Sequence, residues 1–145
     1  MAKSFKFEDN SAQFLKELEA VSMTFLEEVK DSLVSQAQRN TPVKSGDLKR
    51  SFGEDSFIDE NKKIAYIGSS KEYAIWVEKG TGEYAVEGNG RKGGWVFKDE
   101  KTDKWFKTNG MKPKLMLYKA YISKKDKIVR VASEKFGALG KWKNC

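Results

Sequence analysis

The sequence predicts an α+β protein in which two helices pack on an antiparallel sheet of about four strands. Three observations carry this prediction: a helical apolar period near the N-terminus, strand-like runs in the middle, and a second helical period near the C-terminus. At 145 residues the chain fits one domain with a modest core. Within residues 1–145 we expect an N-terminal arm (1–10), a glycine-rich loop with an aromatic hairpin (82–110) and a basic tail (137–145).

The first predicted element is a long amphipathic helix of about 28 residues, roughly 40 Å in length. Asn10 is a candidate N-cap with Gln13 as its capping-box partner, and Pro42 should end the helix near Asn40. Apolar residues recur at three- and four-residue steps, at Phe14, Leu15, Leu18, Val21, Phe25, Leu26, Val29 and Leu33. The helix either lies across the sheet as a core helix or packs partly against a neighbouring copy, and both can hold.

Two strands are expected next, after a turn at residues 44–47 in which Gly46 takes a positive φ. Residues 50–58 and 62–67 have strand-like composition, and residues 59–61 resemble a hairpin connection. Residues 73–77 fit both a strand period and a helical turn. A short helix closed by Gly80 is the favoured interpretation.

The region from residue 80 to 110 is predicted to be a loop followed by a second hairpin. Residues 80–94 contain six glycines and few apolar groups, so they predict a long surface loop. Two aromatic runs, 95–97 and 105–106, flank the polar residues 99–103. The aromatic side chains either pack on the parent sheet or form a surface that a partner covers.

A second amphipathic helix is predicted to start with Pro113 in its first turn. It is either continuous or broken near residues 123–126, and Gly137 and Gly140 should end it. Its apolar face consists of Leu115, Tyr118, Tyr121, Ile122, Val129, Ala132 and Phe136.

Charge is distributed unevenly along the chain. The net charge of +7 divides into −4 over residues 1–60 and +11 over residues 61–145. Such asymmetry is typical of nucleic-acid contact or of an assembly that stacks unlike faces. No apolar run approaches 18 residues and no signal-peptide pattern is present, which predicts a soluble cytoplasmic product without membrane contact. The single cysteine, Cys145, excludes an internal disulfide.

Catalytic and metal chemistry have little support in this sequence. The chain has no histidine and one cysteine, which removes the common nucleophile–base pairs and zinc sites, and we predict no catalytic residue, metal or cofactor. Glu72 and Glu78 remain as a candidate carboxylate pair, but Glu78 is better explained by pairing with a basic neighbour or by accepting backbone N–H bonds from the turn that follows it. Residues 88–93 match G-x-G-x-x-G, yet no helix is predicted after them, so a mobile loop is the favoured interpretation.

Basic side chains alternate with aromatic ones in the second hairpin and the tail, a composition found on nucleic-acid and protein interfaces alike. The candidate contacts with DNA or a protein partner are Arg91, Lys92, Trp95, Phe97, Trp105, Lys107, Lys141, Trp142 and Lys143.

The order and spacing of several short blocks over residues 11–136 resemble the tail-completion or head–tail joining family of tailed bacteriophages, the minor tail proteins related to the lambda protein Z. The residues that carry the resemblance are Pro42, Val43, Ser45, Gly46, Leu48, Ser51, Phe52, Tyr73, Ala74, Val77, Glu78, Gly80, Thr81, Met111, Lys112, Pro113 and Ala120. Two features depart from the family pattern: a second proline before the last helix is missing, and residues 82–110 form a long insertion. From the shared residues we expect Tyr73, Ala74 and Val77 to pack under the sheet and Glu78 to fix the loop at Gly80 and Thr81.

The resemblance implies a structural virion protein, a subunit of a homo-oligomeric ring at the neck of a tailed phage. By analogy the ring has six copies, contacts neck and tail proteins, and surrounds the DNA path. It would be assembled in the cytoplasm of the bacterial host. The alternative function is a small basic nucleic-acid-binding module.

Overall fold

The computed structural model describes residues 8–139, and it contains four helices and two hairpins within that range. In chain order these are α1 (Ser11–Asn40), α2 (Asp47–Asp55), β1 (Phe57–Asp59), β2 (Ile64–Tyr66), α3 (Ala74–Lys79), β3 (Trp95–Asp99), β4 (Lys104–Thr108) and α4 (Met116–Gly137), with one 3₁₀ turn at Gly82–Tyr84. Residues 1–7 of the expected N-terminal arm and residues 140–145 of the expected basic tail lie outside the described range.

Helices α1 and α4 form the main packing unit and run antiparallel. The Asn40 side-chain amide at the end of α1 donates to the carbonyl of Met116 at the start of α4 (3.1 Å). Near the other end of α4 the rings of Phe25 and Phe136 meet edge to face, with centroids 5.4 Å apart. Because α4 ends at Gly137, one residue after this contact, the first turns of α1 extend beyond its end.

The long N-terminal helix is confirmed, and it spans 30 residues. The predicted capping box is wrong: Asn10 occupies the N-cap position without a side-chain bond to the helix, and the Gln13 amide instead donates to Glu17 (3.2 Å). The carboxylate of Asp9 accepts the backbone N–H of Ser11 (2.9 Å) in its place.

Residues 50–55, predicted as strand, belong to helix α2. Gly46, with φ +83, turns the chain and its carbonyl accepts the backbone N–H of Arg50 (3.0 Å). Leu48 and Phe52 are four residues apart, so both fall on the face that meets α1 and α4. The buried core consists of Val34, Ala37, Leu48, Phe52, Met116 and Ala120.

The four predicted strands exist, but they form two separate two-stranded antiparallel sheets rather than one sheet. In the β1–β2 hairpin Phe57 pairs with Tyr66, and their rings stack with centroids 5.0 Å apart. The predicted connection is confirmed, since the Asp59 carboxylate accepts the backbone N–H groups of Asn61 and Lys62. This hairpin lies against α1, whereas the β3–β4 hairpin pairs almost entirely with itself.

The C-terminal helix is continuous through residues 123–126, so the break considered there is wrong. It begins at Met116, three residues after Pro113, and therefore Pro113 is not in its first turn. Leu115 precedes the helix with φ +51, a left-handed conformation that is uncommon for leucine. Gly137 ends the helix as predicted, and Gly140 lies outside the described range. No helix within residues 8–139 is long and apolar enough to cross a membrane.

Candidate assembly surfaces

Eight of the residues that carry the resemblance, from three separate blocks of the sequence, line a single groove. Its volume is about 410 Å³, and apolar side chains make up most of its wall. We call it the motif groove, and its lining residues are Pro42, Val43, Lys44, Ser45, Gly46, Leu48, Tyr73, Val77, Met111 and Lys114. Val43 and Tyr73 are 67% and 45% exposed at its mouth. Lys44 and Lys114 are its two charged residues, so the groove is apolar with a cationic rim.

A seam of hydrogen bonds beside the groove joins residues 77–83 to residues 109–118. The carbonyls of Val77 and Glu78 accept the backbone N–H groups of Lys114 (2.9 Å) and Leu115 (3.1 Å). Further along, Thr81 and Met111 exchange two bonds: the Thr81 N–H donates to the Met111 carbonyl, and the Met111 N–H donates to the Thr81 hydroxyl oxygen (both 2.9 Å). The loop after α3 is therefore tied to the segment that leads into α4.

Glu78 binds the N-terminus of α4, not the loop at Gly80 and Thr81 as expected from the sequence. Its two carboxylate oxygens accept the backbone N–H groups of Leu117 (3.0 Å) and Tyr118 (3.1 Å). A carboxylate in this position satisfies N–H groups that have no partner within the helix, and it complements the helix dipole. The sequence could not locate this contact, because its partners are 39 and 40 residues away.

Gly80 is required by close backbone approach as well as by its conformation, with φ +76. A Cβ at Gly80 would lie 2.7 Å from the Met111 carbonyl oxygen and 2.9 Å from Cδ of Pro113. Gly80 closes α3 as predicted. Of the other motif residues, Ala120 is buried in the core, and Ala74 and Val77 pack against it. The prediction that they pack under a sheet is wrong, because the core they join is formed by helices.

The second predicted hairpin is confirmed, and Phe97, Trp105 and Phe106 are exposed rather than packed on a parent sheet, while Trp95 is half-buried. We call residues 95–108 the aromatic hairpin. Phe97 pairs with Phe106 on one face (centroids 5.9 Å apart), while Trp105 lies on the other face and is 68% exposed.

The candidate contact residues are therefore divided between two faces of this hairpin and the loop before it. Arg91 lies over the ring of Trp95 (5.6 Å to the centroid), which places it with Trp95 and Phe97. Lys107 shares the opposite face with Trp105, and Lys92 is exposed in the loop. Lys141, Trp142 and Lys143 lie outside the described residues.

The glycine-rich loop leads into strand β3, so it lacks the helix that a dinucleotide-binding motif needs. It is anchored to the body: the Gly93 N–H donates to the Glu83 carboxylate (2.9 Å), and Gly90 lies directly against the backbone of Gly82. No group of three or more histidine, cysteine or acidic side chains that could hold a metal ion occurs in the part of the chain that the structure describes.

One surface that no sequence motif indicated is the protruding end of α1. We call residues 11–24 the helix overhang, since they precede Phe25, whose ring meets Phe136 one residue before α4 ends. Lys63 of the β1–β2 hairpin meets Glu19 (2.8 Å), but residues 11–17 are all exposed. Phe14 and Leu15, 44% and 60% exposed, form an apolar end. The signal available in the sequence was the excess length of the helix.

These features define a small α+β protein with an apolar groove and an exposed aromatic hairpin. A family model described as "Bacteriophage HK97-gp10, putative tail-component" matches residues 5–80. The chain belongs to this HK97-gp10-like family, as its resemblance to tail-completion proteins predicted. It is therefore a structural component of a bacteriophage tail and belongs to the virion. Comparison with curated proteins and with solved structures gives no match.

The family match separates two parts of the molecule. It covers helices α1 to α3 and eight of the ten residues that line the motif groove. The aromatic hairpin and α4 lie beyond its end at Gly80.

Proposed function

We propose that the chain is a tail-completion or head–tail joining protein, a subunit of a homo-oligomeric ring at the neck of a tailed phage or phage-like particle. Six copies would form the ring, which would contact neck proteins on one side and tail proteins on the other. The whole chain, residues 1–145, would act as one domain, assembled into the virion in the host cytoplasm.

The observation that carries this proposal is the imbalance between buried and exposed apolar side chains. Within residues 8–139, seven hydrophobic residues are buried, whereas nineteen large hydrophobic residues are at least 41% exposed. Single exposed apolar residues are ordinary, but several of these form groups on the aromatic hairpin and along α4. This amount of exposed apolar surface is expected for a tail component if neighbouring subunits cover it in the assembled particle.

The aromatic hairpin is the proposed arm that meets a neighbouring neck or tail protein. Its exposed residues on both faces offer aromatic anchors of the kind that concentrate binding energy at interfaces. The catalytic alternative for Glu78 has no support in its contacts, since both oxygens serve the start of α4.

The test is a deletion of the gene, followed by electron microscopy of the particles. We expect filled heads and separate tails, with joining restored by the chain supplied in trans and abolished when Trp105→Ala is supplied instead. Immunogold labelling should place the chain at the neck of complete particles. Normal joined particles after deletion, or labelling along the tail or at its distal tip, would overturn the proposal.

A nucleic-acid-binding function is the second candidate, favoured by the exposed cations of α4. Lys119, Lys125, Lys127 and Arg130 form no ion pair with any residue the structure describes. Binding to duplex DNA should then weaken steeply with salt. Affinity that stays unchanged between 50 and about 200 mM salt, or an absence of binding at low salt, would exclude it.

A further inference from the structure

We propose that the helix overhang of one copy docks in the motif groove of the next copy, so that this contact closes the ring. The inference rests on the proposed ring function and names the surfaces that the subunits use on each other.

The two surfaces match in shape and polarity. The overhang ends in two exposed apolar side chains, Phe14 and Leu15, which are 44% and 60% exposed. The groove is an apolar cleft of about 410 Å³, large enough to take an aromatic and an aliphatic side chain together. Val43 and Tyr73 at its mouth would lose their exposure on docking.

The two surfaces are also complementary in charge. Residues 8–20 contain four acidic side chains and one basic one, a net charge of −3. The groove has Lys44 and Lys114 on its rim and no carboxylate in its lining. Opposite potentials favour this pairing and disfavour overhang against overhang or groove against groove.

The placement of the surfaces requires a second copy. Pro42 of the groove follows the C-terminal end of α1, and the overhang is the N-terminal end of the same helix. At 30 residues α1 is about 45 Å long, so a straight helix cannot bring its own first turn to the groove. Each copy would offer the overhang to one neighbour and the groove to the other. Such a head-to-tail contact forms a ring when its rotation closes.

Disulfide trapping in a Cys145→Ser background tests the contact directly. Leu15→Cys protein is mixed with Val43→Cys protein and oxidised, and the yield of the mixed disulfide is measured. We expect it to exceed, by about tenfold, the yield from Leu15→Cys with Val129→Cys, a similarly exposed control on α4, because a disulfide needs Cβ atoms about 4 Å apart. Both cysteines in one chain should give a ladder that ends at the size of the ring.

Charge exchange provides a second test that does not depend on thiol geometry. Glu17→Lys and Lys114→Glu should each weaken self-association by about tenfold in sedimentation velocity. The double variant restores an opposite-charge pair at every interface and should recover most of the loss. Neither side chain is buried, and each variant's circular dichroism spectrum and Tm serve as the folding check.

The outcomes separate this inference from the ring function. Rings that form without the 15–43 disulfide would overturn the docking contact and leave the ring function standing. If the chain does not self-associate and gives no such disulfide, the docking contact is likewise overturned. The phenotype of the gene deletion would still test the function at the neck. A Val43→Cys disulfide to a different tail protein in assembled particles would assign the groove to that protein and also reject our proposal.

Discussion

The helical core and the aromatic hairpin both rely on aromatic side chains, but for opposite purposes. Phe52 is 1% exposed and lies between α1 and α4, whereas Trp105 is 68% exposed on a hairpin that pairs mainly with itself. The first is part of what determines the fold. The second adds little to it and is available to a partner. Some apolar residues of this chain therefore stabilise the fold, whereas others are available for contacts with partners.

The largest expected effect separates these two regions. Phe52→Ala should lower the free energy of unfolding by about 3–5 kcal/mol, because it removes a buried ring and leaves a cavity. Trp105→Ala should change it by less than about 0.5 kcal/mol, as is usual for surface substitutions. Urea unfolding followed by far-ultraviolet circular dichroism measures both. If the two substitutions cost the same, the hairpin is part of the core and the comparison fails.

A second test compares two glycines with similar positive φ angles in different surroundings. Gly80→Ala should cost about 2–4 kcal/mol, since the new Cβ meets the backbone of Met111 and the ring of Pro113 at a positive φ. Gly88→Ala, with φ +69 and open space around it, should cost about 1 kcal/mol from the conformation alone. Thermal and urea unfolding of the pair give the difference. Equal losses would show that the seam at Gly80 tolerates a side chain.

The same contrast explains how far the sequence could predict the fold. The long apolar periods were sufficient to predict α1 and α4. Turn-forming residues identified both hairpins and the end of α3 at Gly80. Helix α2 was missed because its nine residues include Gly53 and are too short to display a clear period. The division into two sheets was missed because strand composition does not identify which hairpin pairs with which.

The candidate site was predictable in its residues but not in its arrangement. The motif blocks at 42–48 and 73–81 were identified from their order, yet their meeting in a groove depends on packing across about thirty residues. The contact of Glu78 with the start of α4 joins residues that are even further apart in the sequence, by 39 positions. Nothing local indicated which loop or helix its carboxylate would meet. Contacts of this kind become visible only when the fold has brought their partners together.

Glu78→Gln tests how much the seam depends on its charge. We expect a loss of about 1 kcal/mol in unfolding free energy, since the amide has one acceptor oxygen and no charge to complement the helix dipole. Glu72→Gln is the matched control, because Glu72 is exposed and has no hydrogen bond or ion pair among the described residues, and it should be neutral. If the two substitutions have equal effects, Glu78 does not stabilise α4.

The smallest effect concerns pH and again compares the two regions. Hydrogen bonds from the backbone N–H and the hydroxyl of Ser70 (both 2.8 Å) lower the pKa of Asp55 beside the core. The hydroxyl of Thr102 is the main cause that lowers the pKa of Asp99 in the turn of the aromatic hairpin. A folded-state pKa below the unfolded value of about 4 means that the ionised carboxylate contributes stability above that pH. The contribution is lost as pH falls through the folded-state pKa.

Asp55→Asn should therefore be less stable than the parent chain at pH 7, and the difference should shrink as pH falls below about 4 and vanish once pH passes below the folded-state pKa. Asp99→Asn should leave the free energy of global unfolding unchanged at both pH values. The hairpin makes few contacts with the core, so its stability should not affect the unfolding of the core. It should instead increase amide hydrogen exchange within residues 95–108 at pH 7. Equal shifts in global stability for the two variants would mean that hairpin and core unfold as one unit, and exposed aromatic residues would then contribute to the fold as well as to assembly.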